Sequence, residues 1–140
     1  MGGLRLPGAL ADAIRGHGRE AYPNECCGFL LGALGGSAVS EIARASNARE
    51  EAAATHRYLI PPEDFVRVQR DADGRGLDIL GFYHSHPDHP ARPSEFDRDH
   101  AWPGYAYLIV AVAKGEPKDL RGFQLAAVGG AFEDLSLEEA

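Results

Sequence analysis

Between Tyr105 and Ala113 the chain reads YAYLIVAVA, a long run rich in β-branched and aromatic residues and closed by Lys114-Gly115. Such a run is a β-strand, and a strand needs partners. The chain offers several. Glu25 to Gly32 is a short apolar run of the kind that fills a buried strand, and the Gly35-Gly36-Ser37 turn returns it as a hairpin through Ala38 to Ala45. Leu77 to Tyr83 is a further apolar strand, and Phe123 to Val128 and Ala131 to Leu137 add two more around Gly129-Gly130. Leu59 and Ile60 read as a strand end, while Asn47 to Thr55 is polar and Ala-rich and its pattern decides nothing.

Helical segments are interspersed. Leu4 to Pro7 reads as a short strand entering a helix, with Pro7 suited to its first position. Leu10, Ala13, Ile14 and Ala21 then form a modest stripe over Ala9 to Ala21, weakened by Gly16 and Gly18 and ended at Tyr22-Pro23-Asn24. Pro61-Pro62-Glu63-Asp64 opens a second helix carried on one face by Phe65, Val68, Gln69 and Ala72 and stopped by Gly74 and Gly76. A short helix is expected near Ser94 to Ala101. The class is therefore α/β or α+β around one mixed sheet. At 140 residues there is room for one core, so a single domain over residues 1–140 is expected.

Charge and cysteine usage narrow the function classes. Fourteen Lys and Arg stand against 21 Asp and Glu, a net charge of −7, which excludes a generic binder of nucleic acid or anionic membrane. No apolar run approaches the roughly 20 residues of a membrane span, and the first residues lack the apolar stretch of a secretory leader. The two cysteines, Cys26 and Cys27, are adjacent, cannot build a disulfide framework and read as small core residues. A soluble cytoplasmic protein is expected, with a homodimer left open.

The chemistry concentrates in His84-Ser85-His86-Pro87-Asp88-His89-Pro90-Ala91-Arg92-Pro93-Ser94-Glu95-Phe96-Asp97. In extended backbone His84 and His86 project to the same side, as two nitrogen ligands of one Zn²⁺ require. Asp97 can add a carboxylate oxygen, leaving a fourth position for water, as catalytic zinc sites do. The bland reading of Ser94 to Asp97 is a helix capping box, and the two readings are compatible. The bland reading of Glu25 is a solvated acid at a strand edge. His89 and His100 read as solvated or packed, and His17 and His56 carry no signal.

The segment resembles the JAMM motif of the MPN-plus zinc metallopeptidases: His-x-His, seven residues, then Ser-x-x-Asp, matched by His84, His86, Ser94 and Asp97. Glu25-Cys26-Cys27-Gly28 is similar to the Glu-x-Cys-Gly opening of that family's early strand. The resemblance spans essentially the whole chain and implies a single MPN-like domain with a mixed central sheet flanked by helices. It also implies zinc held by His84, His86 and Asp97, with Glu25 as general base and Ser94 as oxyanion donor. The implied reaction is hydrolysis of an amide or isopeptide bond beside the C-terminal Gly-Gly of a ubiquitin-like protein. The compact chain looks like the stand-alone bacterial branch linked to sulfur-carrier proteins, which trims an extension or releases cysteine from a carrier adduct. Two other readings stay open: a non-catalytic MPN-type scaffold or binding module, and a metal-dependent hydrolase of a small amide or phosphoester.

Overall fold

The computed structural model describes residues 3–47, 60–127 and 130–139. In chain order these form β1 (Leu4–Arg5), α1 (Gly8–Ala21), β2 (Cys27–Ala33), β3 (Val39–Ala45), α2 (Pro62–Gly74), β4 (Leu77–Pro87), α3 (Glu95–Asp99), β5 (Ala106–Ala113), β6 (Glu116–Leu125), β7 (Phe132–Leu135) and β8 (Leu137–Glu138). Strands β3-β2-β4-β5-β6-β7 make one six-stranded sheet, and β1 and β8 pair separately in parallel. Within the large sheet only β4 and β5 run parallel. The chain between them must therefore cross back over the sheet, and that crossover carries α3.

The two faces of the sheet are dressed differently. Leu30, Tyr83, Leu108 and Val110 pack under α1 with Ala11 and Ile14. Phe29, Phe82 and Tyr107 alternate onto the other face, under Val68 and Ala72 of α2. By the same alternation Glu25 and Cys27 follow Phe29's side, and His84 and His86 follow Phe82's, beyond the cover of α2. The sheet thus buries apolar residues along most of this face and turns polar at one end.

Two glycines permit close approaches that set the site strand. A Cβ on Gly81 would fall on the Ala106 carbonyl, so β4 and β5 can close their parallel pair only with glycine there. A Cβ on Gly18 would meet Val112 Cγ2 at 3.0 Å and Ser85 Cβ at 3.6 Å. Gly18, which weakens α1 by propensity, is what lets the helix lie directly on β4 and β5. Ser85, between the two histidines, is the small residue beneath it, and its Oγ accepts the Cys26 N–H at 2.8 Å.

Several boundaries differ from the sequence reading. Pro7 is the N-cap of α1, its carbonyl accepting from Leu10 and Ala11, whereas Pro62 takes the first turn of α2. β4 continues to Pro87 because β5 supplies ladder partners through Val112. β6 starts at Glu116, seven residues before the expected Phe123, because Lys114 and Gly115 both have positive φ (51° and 83°) and fold β5 back in a tight hairpin. The acidic tail divides: Phe132–Leu135 stays in the large sheet and Leu137–Glu138 leaves it for β1. Leu59, most of Asn47 to Thr55, His56, Val128 and Gly129 lie outside the described residues. Among the described residues no helix is long and apolar enough to cross a membrane.

Under α1, His17 Nδ1 lies 2.7 Å from the Tyr83 hydroxyl. Burial, then the Arg44 charge, lower its pKa to about 4 against the opposing effect of Glu20. A histidine with a depressed folded pKa stabilises the fold above the unfolded pKa near 6.5 and loses that contribution as pH falls toward the folded value. Between pH 7 and pH 5 the metal-free protein should lose about 1 kcal/mol more stability than His17→Gln, after discounting for the partial exposure of the ring. Urea unfolding at the two pH values measures this, and equal losses would exclude His17 as the titrating group.

Candidate metal centre

Three elements converge on the polar end of the sheet. β4 carries His84 and His86, both buried, on one side of the strand. β2 aligns Cys27 with His84, and the Ser85 N–H donates to the Cys26 carbonyl at 3.1 Å, so continuing the register brings Glu25 level with His86. The crossover then delivers Asp97 on the first turn of α3. A capping box sets that turn: Ser94 Oγ accepts the Asp97 N–H at 3.1 Å, and Asp97 Oδ2 accepts the Ser94 N–H at 2.8 Å. The structural and functional readings of this segment coincide, since the cap holds Asp97 with its carboxylate toward the histidines.

The resulting distances are short. His84 Nε2 and His86 Nε2 are 3.1 Å apart, Asp97 Oδ2 is 3.1 Å from His86 Nε2, and Asp97 Oδ1 is 3.3 Å from His84 Nε2. Donors bonded at about 2.0–2.1 Å to a tetrahedral ion lie about 3.3–3.4 Å from one another, so the trio needs only slight expansion to share one ion. All three residues are buried, and their donor atoms lie within 4.8 Å of one another. Two imidazoles and a carboxylate suit a borderline divalent metal. His86 Nδ1 donates to the Pro90 carbonyl at 2.9 Å, which leaves Nε2 for the cluster and fixes the ring, the usual support for a ligating histidine.

Without a metal, opposite effects act on these groups. Burial alone would raise the Asp97 pKa, but His84, His86 and the Ser94 N–H hold it well below the usual carboxylate range. Burial lowers His84. On His86 burial is outweighed by Asp97 and the Pro90 carbonyl, so its pKa rises.

Glu25 is only 5 % exposed, and its Oε1 is buried with no hydrogen-bond partner among the described residues. Burial pushes its pKa up to about 8, with His86 opposing and Asp97 reinforcing the rise. The Asn47 amide holds its backbone by donating to the Glu25 carbonyl at 3.2 Å. A solvated strand-edge acid would show none of this. Glu25, His86 and Ser94 line one cleft of about 460 Å³, together with Pro90, Arg92 and Pro93. Asp97 itself lines an aromatic hollow of about 240 Å³ walled by Phe65, Phe82, Phe96, Trp102 and Tyr107.

The sequence reading singled out neither the hollow nor Arg92. The hollow's residues are scattered from Phe65 to Tyr107 and meet only through the fold, whereas Arg92 had a signal in its place between His86 and Ser94. His89 is exposed at the rim of the cleft, and His100 stacks on Phe96 with centroids 4.1 Å apart. Both cysteines are buried and free, and burial raises their thiols to about 11 and about 12, so neither is an activated nucleophile.

A mixed sheet whose polar end gathers His-x-His and a capped Ser-x-x-Asp beside a buried glutamate defines the class of JAB/MPN-type hydrolases. The comparisons agree on the family. Residues 7–125 match the prokaryotic homologs of the JAB domain, and the chain belongs to that family. It is 38% identical over 111 residues to the desampylase of Haloferax volcanii, covering 76% of this chain and 78% of that protein. A solution structure of a Salinibacter ruber protein is 40% identical and superposes with a TM-score of 0.75 over 98% of this chain and 92% of the other. A JAB1/MPN domain protein from Archaeoglobus fulgidus is 18% identical with a TM-score of 0.59, covering 97% of this chain and all of that one, and shares the fold. The protein is a hydrolase of the JAMM type.

Proposed function

We propose that this protein is a zinc-dependent, cytoplasmic metallopeptidase, one catalytic domain over its whole length. Its substrate would be a ubiquitin-like sulfur-carrier protein, hydrolysed at an amide or isopeptide bond beside the carrier's C-terminal Gly-Gly. The observation that carries this reading is the buried, partnerless Oε1 of Glu25 placed level with the His84–His86–Asp97 cluster. A buried acid with an unpartnered oxygen is expensive to maintain and fits a group that exchanges protons with substrate.

In this mechanism His84, His86 and Asp97 hold zinc, which when bound acidifies a water and polarises the scissile carbonyl. Glu25 takes a proton at its carboxylate and returns it to the departing nitrogen. Burial supports both roles, because it raises a pKa that a nearby cation would otherwise depress. Ser94 Oγ accepts from Asp97 N–H and so keeps its own proton to donate toward the carbonyl oxygen as charge develops there. A Gly-Gly tail suits the narrow approach, because backbone without side chains can lie close to the strand. A scaffold of the same fold would have no use for an intact trio or for the buried acid.

The test is direct. Zinc-loaded protein should process Gly-Gly-ending carriers from its own genome, presented with a C-terminal extension or joined to lysine, with the product masses read by mass spectrometry and the activity lost on chelation. Failure to process any such carrier at one bound zinc per chain would reject the assignment.

A further inference from the structure

The two hollows that flank the trio are chemically unlike, and the position of Glu25 decides which end of the substrate each receives. Glu25 lines the cleft with His86, Ser94 and Arg92, whereas the aromatic hollow is lined by Asp97 and not by Glu25. A proton returned by Glu25 must reach the departing nitrogen, so the leaving group occupies the cleft and the acyl side runs toward the aromatic residues.

Among the described residues Arg92 is the one arginine that lines this cleft. In a chain with a surplus of acids, Arg5, Arg15, Arg44, Arg67, Arg75, Arg98 and Arg121 pair with a carboxylate, and of the described arginines outside these pairs, Arg19 and Arg70 lie on α1 and α2 whereas Arg92 lines the cleft. Arg92 has no acidic partner among the described residues. Its backbone N–H is tied to the Pro90 carbonyl at 2.8 Å, and Pro93 follows it, so a stiff segment holds Arg92 in the lining of the cleft. A planar guanidinium recognises a carboxylate by paired hydrogen bonds.

Resting on the function proposed above, we infer that Arg92 binds the α-carboxylate of the leaving group, so that the preferred substrate is a carrier extended beyond Gly-Gly by a single C-terminal amino acid. In such a substrate one carbon bears both the scissile nitrogen and the carboxylate. A lysine ε-amine in an isopeptide offers no anion there. Hydrolysis breaks the amide C–N bond, the glycine carbonyl carbon gains the water's hydroxyl, and the free amino acid departs with its carboxylate on Arg92.

Binding tests this apart from turnover. Acetyl-Gly-Gly-Ala with a free carboxylate and the same peptide as its carboxamide are titrated into zinc-loaded Glu25→Gln protein, followed by NMR. The acid should bind at least about tenfold tighter than the amide. Adding Arg92→Gln should abolish the difference, Arg92→Lys should restore part of it, and the Arg92-dependent preference should persist in metal-free protein, where a carboxylate has no ion to ligate. Equal binding of acid and amide, binding of neither, or a preference that survives Arg92→Gln would overturn the inference. Wild-type enzyme that cleaves a Gly-Gly-lysine isopeptide as fast as the single-residue extension would leave the proposed function standing and this inference refuted. Cleavage of no carrier at all would refute both.

Discussion

Replacing Glu25 by Gln should reduce turnover by about a thousandfold, the scale of a lost general acid and base, without reducing the zinc content of the protein. The same substitution should make the metal-free protein more stable at neutral pH. Burial holds the Glu25 pKa at about 8, above its ordinary 4.5. Between those values the unfolded chain ionises Glu25 freely while the fold keeps it protonated, so the unfolded state binds fewer protons and stability falls as pH rises. Near pH 7 that penalty is about 2–4 kcal/mol. Gln carries the shape of the protonated acid and has no proton to lose. The difference between variant and wild type should therefore be largest near pH 7 to 8 and vanish toward pH 4, where both states are protonated. Urea unfolding of metal-free protein at several pH values, with metal analysis and a carrier-processing assay, reads all three quantities. Full turnover in Glu25→Gln would remove Glu25 from the chemistry. A variant less stable than wild type at pH 7 would show that the buried carboxylate stabilises the fold.

Much of this was legible in the residues, and what was not has identifiable physical causes. The strands from Cys27 and Ala106 and the helix from Pro62 follow from apolar runs and from turn residues at their ends. The end of β4 did not, because His84, Ser85 and His86 read as loop by hydrophobicity although β5 pairs with each of them. The start of β6 was hidden because Glu116 to Asp119 are largely solvated and the strand is dictated by a two-residue turn. At the site, spacing pointed to His84, His86 and Asp97 and to Ser94 as a helix cap, since period-2 projection and a capping box are local geometry, while a site role for Ser94 came only from the motif. Glu25 became legible only through a motif, for its nearness to His86 depends on the pairing of β2 with β4. The aromatic hollow gathers residues from Phe65 to Tyr107 that meet only through the fold, which no local pattern encodes.

Asp97 serves two structures at once, and its removal should be costly in both. In the metal-free protein its Oδ2 accepts the Ser94 N–H and faces His86 Nε2, while Oδ1 faces His84. Asp97→Ala strands a buried imidazole and an N-terminal amide, so about 3–5 kcal/mol of stability should be lost, the scale for breaking a buried ion pair from one side. The sign follows from the direction of its pKa: a carboxyl held below its ordinary range stabilises the fold above the unfolded pKa and loses that contribution only in strong acid. Wild type and Asp97→Ala should therefore differ fully above pH 5, begin to converge near pH 4 and meet only in strong acid. Zinc affinity should fall at least about a hundredfold, beyond what loss of a supporting contact costs. Asp97→Asn separates the two duties, because the amide oxygen can still accept the Ser94 N–H while offering the metal a neutral and weaker donor. It should recover much of the stability and little of the zinc affinity. If Asp97→Asn binds zinc as tightly as wild type, the carboxylate is a cap and not a ligand. If Asp97→Ala is as stable as wild type above pH 5, the buried pairing with His86 contributes nothing, and the trio is not the organised centre its distances describe.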